Sequence, residues 1–263
     1  MNKKIKKIIK KKNRTKIVCL TAYSKSIAKI IDKYCDIVLV GDSMANVLYG
    51  LDSTHKIDLK NIIQHTLSVK MGIKKSLLVV DMPKGTYNDK NSAIKNAKQV
   101  LKLTKCDGVK LESNYKNFHI IKYLVKAKIP VMGHIGFTPQ FKKKFKIEGD
   151  TVKKANKLLK EAKLIEKAGA FSIVLECITS KTSKLITECL NIPTIGIGSS
   201  KNCDGQILVT DDMLGISGFY PKFVKKYASL NRTIEKAVKK YTRDVKKGKF
   251  PLKKNFLNGS KLR

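Results

Sequence analysis

Apolar, largely β-branched runs alternate with helical stretches along the whole chain. The runs cover residues 16–23, 37–43, 76–83, 108–112, 129–136, 171–176, 192–199 and 205–212. They are apolar throughout rather than at every second position, which is the pattern of parallel strands covered on both faces. Between them, helical patterns occupy 24–34, about 58–72, 91–105, 115–127, 151–168 and 180–190, and a helical pair is expected over roughly 219–247. Eight such strands with intervening helices predict an α/β protein, a closed (β/α)8 TIM barrel. A doubly wound open sheet is the alternative, but it wants a glycine-rich phosphate turn after the first strand. "TAYSKS" is no such turn, and "GIGSSKNCDG" comes too late. The expected organisation is one barrel domain over 1–263. A basic N-terminal helix (about 1–14) and a C-terminal helical extension (about 219–263) frame it, with no low-complexity linker.

Four of the apolar runs deliver an acid at their last residues: Asp42 in "VLVGDS", Asp81 in "LLVVDMP", Glu112 in "GVKLE" and Glu176 in "FSIVLE". In a barrel the C-terminal strand ends form one mouth, where active sites lie. Asp42, Ser43, Asp81, Lys110, Glu112, His134 and Glu176 are therefore expected in one cup. Crowded acids are costly unless a cation or protons neutralise them. Carboxylates and a hydroxyl, without clustered His or Cys, form an oxygen-rich set that suits Mg2+ better than zinc. Asp42 and Asp81 are the expected metal ligands, with Glu112 as a third ligand or an acceptor for bound water. Lys110 lies two residues before Glu112, on the same strand face, and can bind a substrate carboxylate. Glu176 ends an apolar run, where a raised pKa suits a general acid or base. His134 is read either as a substrate or proton group or as a structural histidine. His55, His65 and His119 have no comparable placement, and Asp204 in "CDGQ" is read as a turn residue. Such a site points to α-keto acid chemistry, in which a metal and a base stabilise an enolate.

Composition changes this picture little. The chain carries 56 basic against 20 acidic residues, a formal net charge of +36. Of the basic residues 52 are Lys and four are Arg, and there is no Trp. Nucleic-acid readers lean on Arg and on stacking aromatics. The lysines are also scattered, so compositional drift explains the excess better than a polyanion partner does. No apolar run reaches the roughly 18 residues of a membrane span, and the N-terminus shows no apolar signal region. Ile5, Ile8 and Ile9 fall on one side of the basic N-terminal helix, expected to cap the barrel or lie in solvent rather than on a membrane. Six cysteines without a C-x-x-C pair argue for reduced thiols. The expectation is a soluble cytoplasmic protein with no nucleic-acid or membrane partner.

An ordered series of motifs is more specific: "VGDS", "GLDST", "VVDMPKGTY", "VKLE", "IPVMGHIGFTPQ", "AGAFSIVLE", "IPTIGIGSSKNCDGQILV", "DMLG" and "PKFVKKY". This series closely resembles the ketopantoate hydroxymethyltransferase family. The resemblance implies a barrel of the phosphoenolpyruvate/pyruvate type and a homo-oligomer, usually a decamer. It implies transfer of a hydroxymethyl group from 5,10-methylenetetrahydrofolate to 3-methyl-2-oxobutanoate through a Mg-stabilised enolate, yielding 2-dehydropantoate and tetrahydrofolate in pantothenate biosynthesis. By resemblance, Asp42 and Ser43 bind the keto acid and Asp42 also meets the magnesium. Asp81 is similar to the second metal ligand, Lys110 and Glu112 to the substrate lysine and the third metal-site acid, and Glu176 to the proton acceptor. The chain departs from the family pattern at Ala45, Asn46, Lys84, Ser113, Asn114 and Ser200, most of which stand where glycine is usual. Two other activities are carried alongside: a folate-independent carbon–carbon lyase or mutase on the same barrel, and a non-catalytic polyanion binder.

Overall fold

The structure is a computed structural model that describes residues 2–142, 145–218 and 220–256. Eight parallel strands close into a barrel in chain order. They are β1 (Ile17–Thr21), β2 (Ile37–Val40), β3 (Leu77–Asp81), β4 (Gly108–Glu112), β5 (Val131–Gly136), β6 (Ser172–Glu176), β7 (Thr194–Ile197) and β8 (Gly205–Leu208). The helices are α1 (Lys3–Ile9), α2 (Lys25–Ile31), α3 (Met44–Val47), α4 (Leu59–Lys70), α5 (Lys90–Thr104), α6 (Phe118–Lys126), α7 (Val152–Lys167), α8 (Ser180–Cys189), α9 (Thr210–Leu214) and α10 (Leu230–Lys246). Each apolar run contains one strand. The run 205–212 also holds the start of α9, and the short α3 was not expected.

Strands β2 to β5 are buried at every position, because their outer residues pack under the helices while their inner residues fill the barrel. Helix α1 closes the bottom. Its Ile5 and Ile8 join an inner cluster with Ile17, Ile37, Leu39, Leu77, Val79 and Ile207. Three acids that precede strands hold the N-terminal segment in place. Asp36 accepts from Lys11 Nζ (2.6 Å), Asp107 from Asn2 Nδ2 (2.6 Å) and Asp204 from Lys12 Nζ (2.8 Å). Asp204 also accepts from the backbone N–H of Asn13 (3.1 Å) and Thr194 (2.9 Å). It is thus a buried anchor at the foot of the barrel rather than a turn residue alone.

The wall between β8 and β1 is bare. Val18 points outward from β1 with 47% of its surface exposed, and Gln206 on β8 is exposed too. The expected helical pair near 219–247 is instead an irregular segment followed by the single helix α10, and α10 buries none of its residues. Residues 257–263 of the expected extension lie outside the described residues.

Candidate active site

Strand register sets the rim. Asp81 is paired with Lys110, Glu112 with His134, and Gly136 with Glu176. Asp42 and Ser43 follow two and three residues after β2. Asp42, Ser43, Asp81, Lys110, Glu112, His134 and Glu176 line one cavity of about 1330 Å³ at the C-terminal mouth, together with apolar Leu39, Val174, Ile197 and Ile207 at its floor. Phe137, Phe145, Tyr220 and Phe223 also face it.

The acids are held differently. Asp81 Oδ1 accepts from Lys110 Nζ at 2.6 Å, and its Oδ2 accepts from the Asp42 backbone N–H at 3.2 Å. Asp42 Oδ2 accepts from Gln140 Nε2 at 2.9 Å, and Glu112 Oε2 from the Gln140 backbone N–H at 2.9 Å. Ser43 Oγ and the Tyr23 hydroxyl lie 2.9 Å apart. Glu176 Oε2 lies 3.1 Å from His134 Nε2, and Glu112 Oε1 lies 3.8 Å from His134 Nδ1. Neither ring nitrogen of this buried histidine completes a hydrogen bond.

Electrostatics follow from burial. Burial pushes the Asp42, Asp81, Glu112 and Glu176 carboxyls up, and Lys110 opposes the rise at each. Asp81 reaches about 6 and Glu176 about 7. Burial works to lower the Lys110 ammonium, yet Asp81, Asp42 and Glu112 outweigh it and hold Lys110 above its ordinary value. Burial, then Lys110, keeps His134 well below the usual histidine range, so its imidazole is neutral.

The backbone around Glu176 is tightly determined. Cys177, the next residue, adopts φ 53, a left-handed conformation that is uncommon for a side-chain-bearing residue. The Phe137 N–H donates to Glu176 O and the Cys177 N–H to Ile197 O, both at 2.8 Å. Gly136 has φ +99, and a Cβ there would collide with Glu176 O. Any side chain at 136 would displace the acid. By contrast, Ala45, Asn46, Ser113, Asn114 and Ser200 take no left-handed backbone, so these departures from the family pattern carry no such strain. Lys84 places its Nζ 3.2 Å from His55 Nδ1 at the rim.

Among the described residues, no group of three or more His, Cys, Asp or Glu side chains is arranged to hold a metal ion. Asp42, Asp81 and Glu112, expected as two ligands with Glu112 as a third or as an acceptor for bound water, share the cavity but are not grouped as a three-acid metal cluster. The physical reason is visible in their partners: Lys110 occupies one oxygen of Asp81, and Gln140 stands between Asp42 and Glu112. The donor set still fits a hard cation in a looser mode. Its carboxyl donors are all oxygen, and the four acids stand beside the buried cation Lys110. Mg2+ commonly uses one or two carboxylates and keeps its waters.

Sequence reasoning missed Gln140, Tyr87, Tyr23, His55 and Lys142. Lys142 donates from Nζ to Gly136 O (2.7 Å) and to Glu148 Oε1 (2.5 Å) beside the cavity. Gln140 stood within "HIGFTPQ" but received no role. Its place four residues past the end of β5 is the signal that was available.

The chain is therefore an α/β-barrel protein with an acid-lined mouth. Its fold matches phosphoenolpyruvate phosphomutase from Streptomyces platensis subsp. rosaceus, with TM-score 0.64 at 9% identity over 93% of this chain and 87% of that one. It also matches 2,3-dimethylmalate lyase, a PEP mutase/isocitrate lyase superfamily member, with TM-score 0.62 at 12% identity over 98% and 92%. At such identities the likeness is one of fold. Sequence narrows it further: residues 2–253 match the ketopantoate hydroxymethyltransferase family. The 3-methyl-2-oxobutanoate hydroxymethyltransferase of Pelagibacter ubique (strain HTCC1062) is 52% identical over 97% of this chain and 99% of that protein. The protein of the same name from Clostridioides difficile (strain 630) is 47% identical over 94% and 93%. The chain belongs to the ketopantoate hydroxymethyltransferase family and is an enzyme, a hydroxymethyltransferase.

Proposed function

We propose that this enzyme transfers a hydroxymethyl group from 5,10-methylenetetrahydrofolate to 3-methyl-2-oxobutanoate, giving 2-dehydropantoate for pantothenate biosynthesis. The observation that carries the reading is the pairing in one cavity of Lys110, a buried cation, with Glu176, a carboxyl pushed up to about 7. The lysine suits a substrate carboxylate, and the acid suits a proton acceptor that works near neutral pH.

In this reading Lys110 and Ser43 orient the keto acid, so that C3 faces Glu176. Glu176 takes the C3 proton, with the neutral ring of His134 3.1 Å away. C3 then forms the new carbon–carbon bond to the one-carbon unit as that carbon's bonds to the folate nitrogens break; water supplies the hydroxyl, and tetrahydrofolate leaves. Asp42 and Asp81 would hold Mg2+, with Glu112 accepting from its waters. When bound, the cation supplies positive charge to the carboxylate and keto oxygens of the substrate. Leu39, Val174 and Ile197 keep the reacting carbon in an apolar floor. A cavity of about 1330 Å³ exceeds the roughly 300–1,000 Å³ of ordinary ligand sites, which leaves space for a second, aromatic substrate against Phe137, Phe145 and Phe223.

The working form we propose is a cytoplasmic homo-oligomer, a decamer by the family resemblance. Two exposed apolar features support self-association: the bare β8–β1 wall, and α10 with Ile234, Val238, Tyr241 and Val245 at helical spacing and 44–58% exposed. All six cysteines are free and five are buried, which suits a reducing compartment. No described helix is long and apolar enough to cross a membrane.

The test is deuterium exchange at C3 of the keto acid, with and without Mg2+, followed by product formation with and without methylenetetrahydrofolate. Cation-dependent exchange and folate-dependent product are expected. Product made equally well without folate would replace this reading with lyase or mutase chemistry.

A further inference from the structure

Gln140 is fully buried, yet it belongs to the loop after β5 and to no regular element. Each of its amide groups reaches a different strand end. Its backbone N–H donates to Glu112 Oε2 at 2.9 Å. Its side-chain Nε2 donates to Asp42 Oδ2 at 2.9 Å and to Met82 O at 3.0 Å. Its Oε1 accepts from the Tyr87 hydroxyl at 2.5 Å. The orientation of the side-chain amide is forced. Turned over, it would aim its own oxygen at a carboxylate and a carbonyl, two acceptors with no proton between them.

We propose that Gln140, oriented by Tyr87, is a positioning residue that sets which oxygens of Asp42 and Glu112 face the cavity's cation. The inference rests on the cation reading given under Proposed function. With Oδ2 of Asp42 and Oε2 of Glu112 committed to one residue, the second oxygen of each acid is turned from Gln140. Neither carboxylate can then rotate freely.

The chemistry of the donor matters as much as its place. Lys110 holds Asp81 with a full positive charge and cancels the charge of the acid it grips. Gln140 holds its acids with neutral N–H groups. Gln140 thereby fixes oxygens of Asp42 and Glu112 without bringing a second positive charge to compete with a bound cation. A lysine at 140 would compete for that place, and an apolar residue would leave Asp42 unheld. A second partner of this kind tunes a metal site through the ligand's orientation. Burial of the amide with all its hydrogen bonds made adds rigidity, since any rotation would strand a polar group in the interior.

The experiment is titration of the purified full chain with Mn2+, read by the electron paramagnetic resonance of the free ion, with no substrate present. Gln140→Leu removes the side-chain donors while keeping the backbone N–H. Tyr87→Phe removes only the group that orients the amide. Variants that lose such outer partners typically weaken metal binding about 10- to 100-fold. Gln140→Leu is expected in that range, and Tyr87→Phe in the same direction with a smaller loss. A merely structural role would lower the melting temperature and leave Mn2+ affinity in the folded protein unchanged. If Gln140→Leu does not fold, Tyr87→Phe carries the test. Wild-type binding with unchanged affinity in the folded variants overturns the inference alone. A wild-type chain that binds no Mn2+ overturns it together with the cation reading.

Discussion

Replacing Glu176 by Gln tests stability and chemistry at once. Burial, partly offset by Lys110, moves the Glu176 carboxyl from 4.5 to about 7. At about 1.4 kcal/mol per pH unit, the folded chain prefers the neutral acid by at most roughly 3.5 kcal/mol over the unfolded chain, less the screening at its exposed part. The sign follows from proton linkage. Below 4.5 both states hold the proton and nothing is lost. Between 4.5 and 7 the folded state binds more protons than the unfolded state, so stability falls as pH rises, and above 7 the whole contribution is gone. A glutamine side chain cannot ionise and escapes this loss. In metal-free buffer the Glu176→Gln variant should therefore gain on wild type by roughly 2–3 kcal/mol between about pH 5 and pH 8.5. For a chain of this size that is a widening of roughly 5–10 °C in melting temperature, read by circular dichroism. Because 18% of the Glu176 side chain remains exposed to the cavity, the smaller end of that range is expected. The chemical arm uses the same group. Wild-type C3 exchange should rise with pH through about 7 as the carboxylate forms, and the variant should be slower by about 10²–10⁴-fold. Melting curves that stay parallel at all pH values would refute the burial argument. Exchange at the wild-type rate would refute the assignment of Glu176 as base.

Other expectations concern the two ends of the molecule. Ile8→Ala removes a side chain that is 2% exposed at the bottom of the barrel; it should cost about 2–4 kcal/mol in urea unfolding while leaving kcat/KM unchanged, since the mouth lies at the opposite end. Val238→Asp places a charge in the apolar stripe of α10, where Val238 is 56% exposed; light scattering should show a smaller assembly, and an unchanged mass would remove α10 from the subunit interface.

The sequence was most legible where position follows from local period. A parallel strand buries both faces, so its apolar run is continuous and its end is marked by the first polar residue. That rule alone brought Asp42, Asp81, Lys110, Glu112, His134 and Glu176 to one rim, and the family motifs named most of the same residues. It was least legible where a residue's role depends on what converges on it. Gln140 meets Asp42 across 98 residues and Tyr87 across 53, and no spacing along the chain announces either contact. The anchoring role of Asp36, Asp107 and Asp204 was hidden for the same reason: each precedes a strand and is ordinary in isolation, and only the arrival of the N-terminal segment makes it an anchor. The C-terminal pattern misled in a third way. Helical spacing at Ile234, Val238, Tyr241 and Val245 was real, but Pro221 lies in the irregular segment before it, where a missing N–H disfavours a helix interior.

These failures share a cause that bears on the site itself. Two neutral N–H groups of one glutamine and the ammonium of Lys110 hold oxygens of the three acids. A set of carboxylates inferred from strand ends alone carries no record of the groups that hold each oxygen. In the structure one acid pairs with an ammonium, and the other two accept from neutral N–H groups of Gln140. The same barrel rule that gathers the acids therefore cannot by itself say which of them bind metal. The oxygens of Asp42 and Glu112 are held from the loop after β5, whose glutamine the strands do not predict.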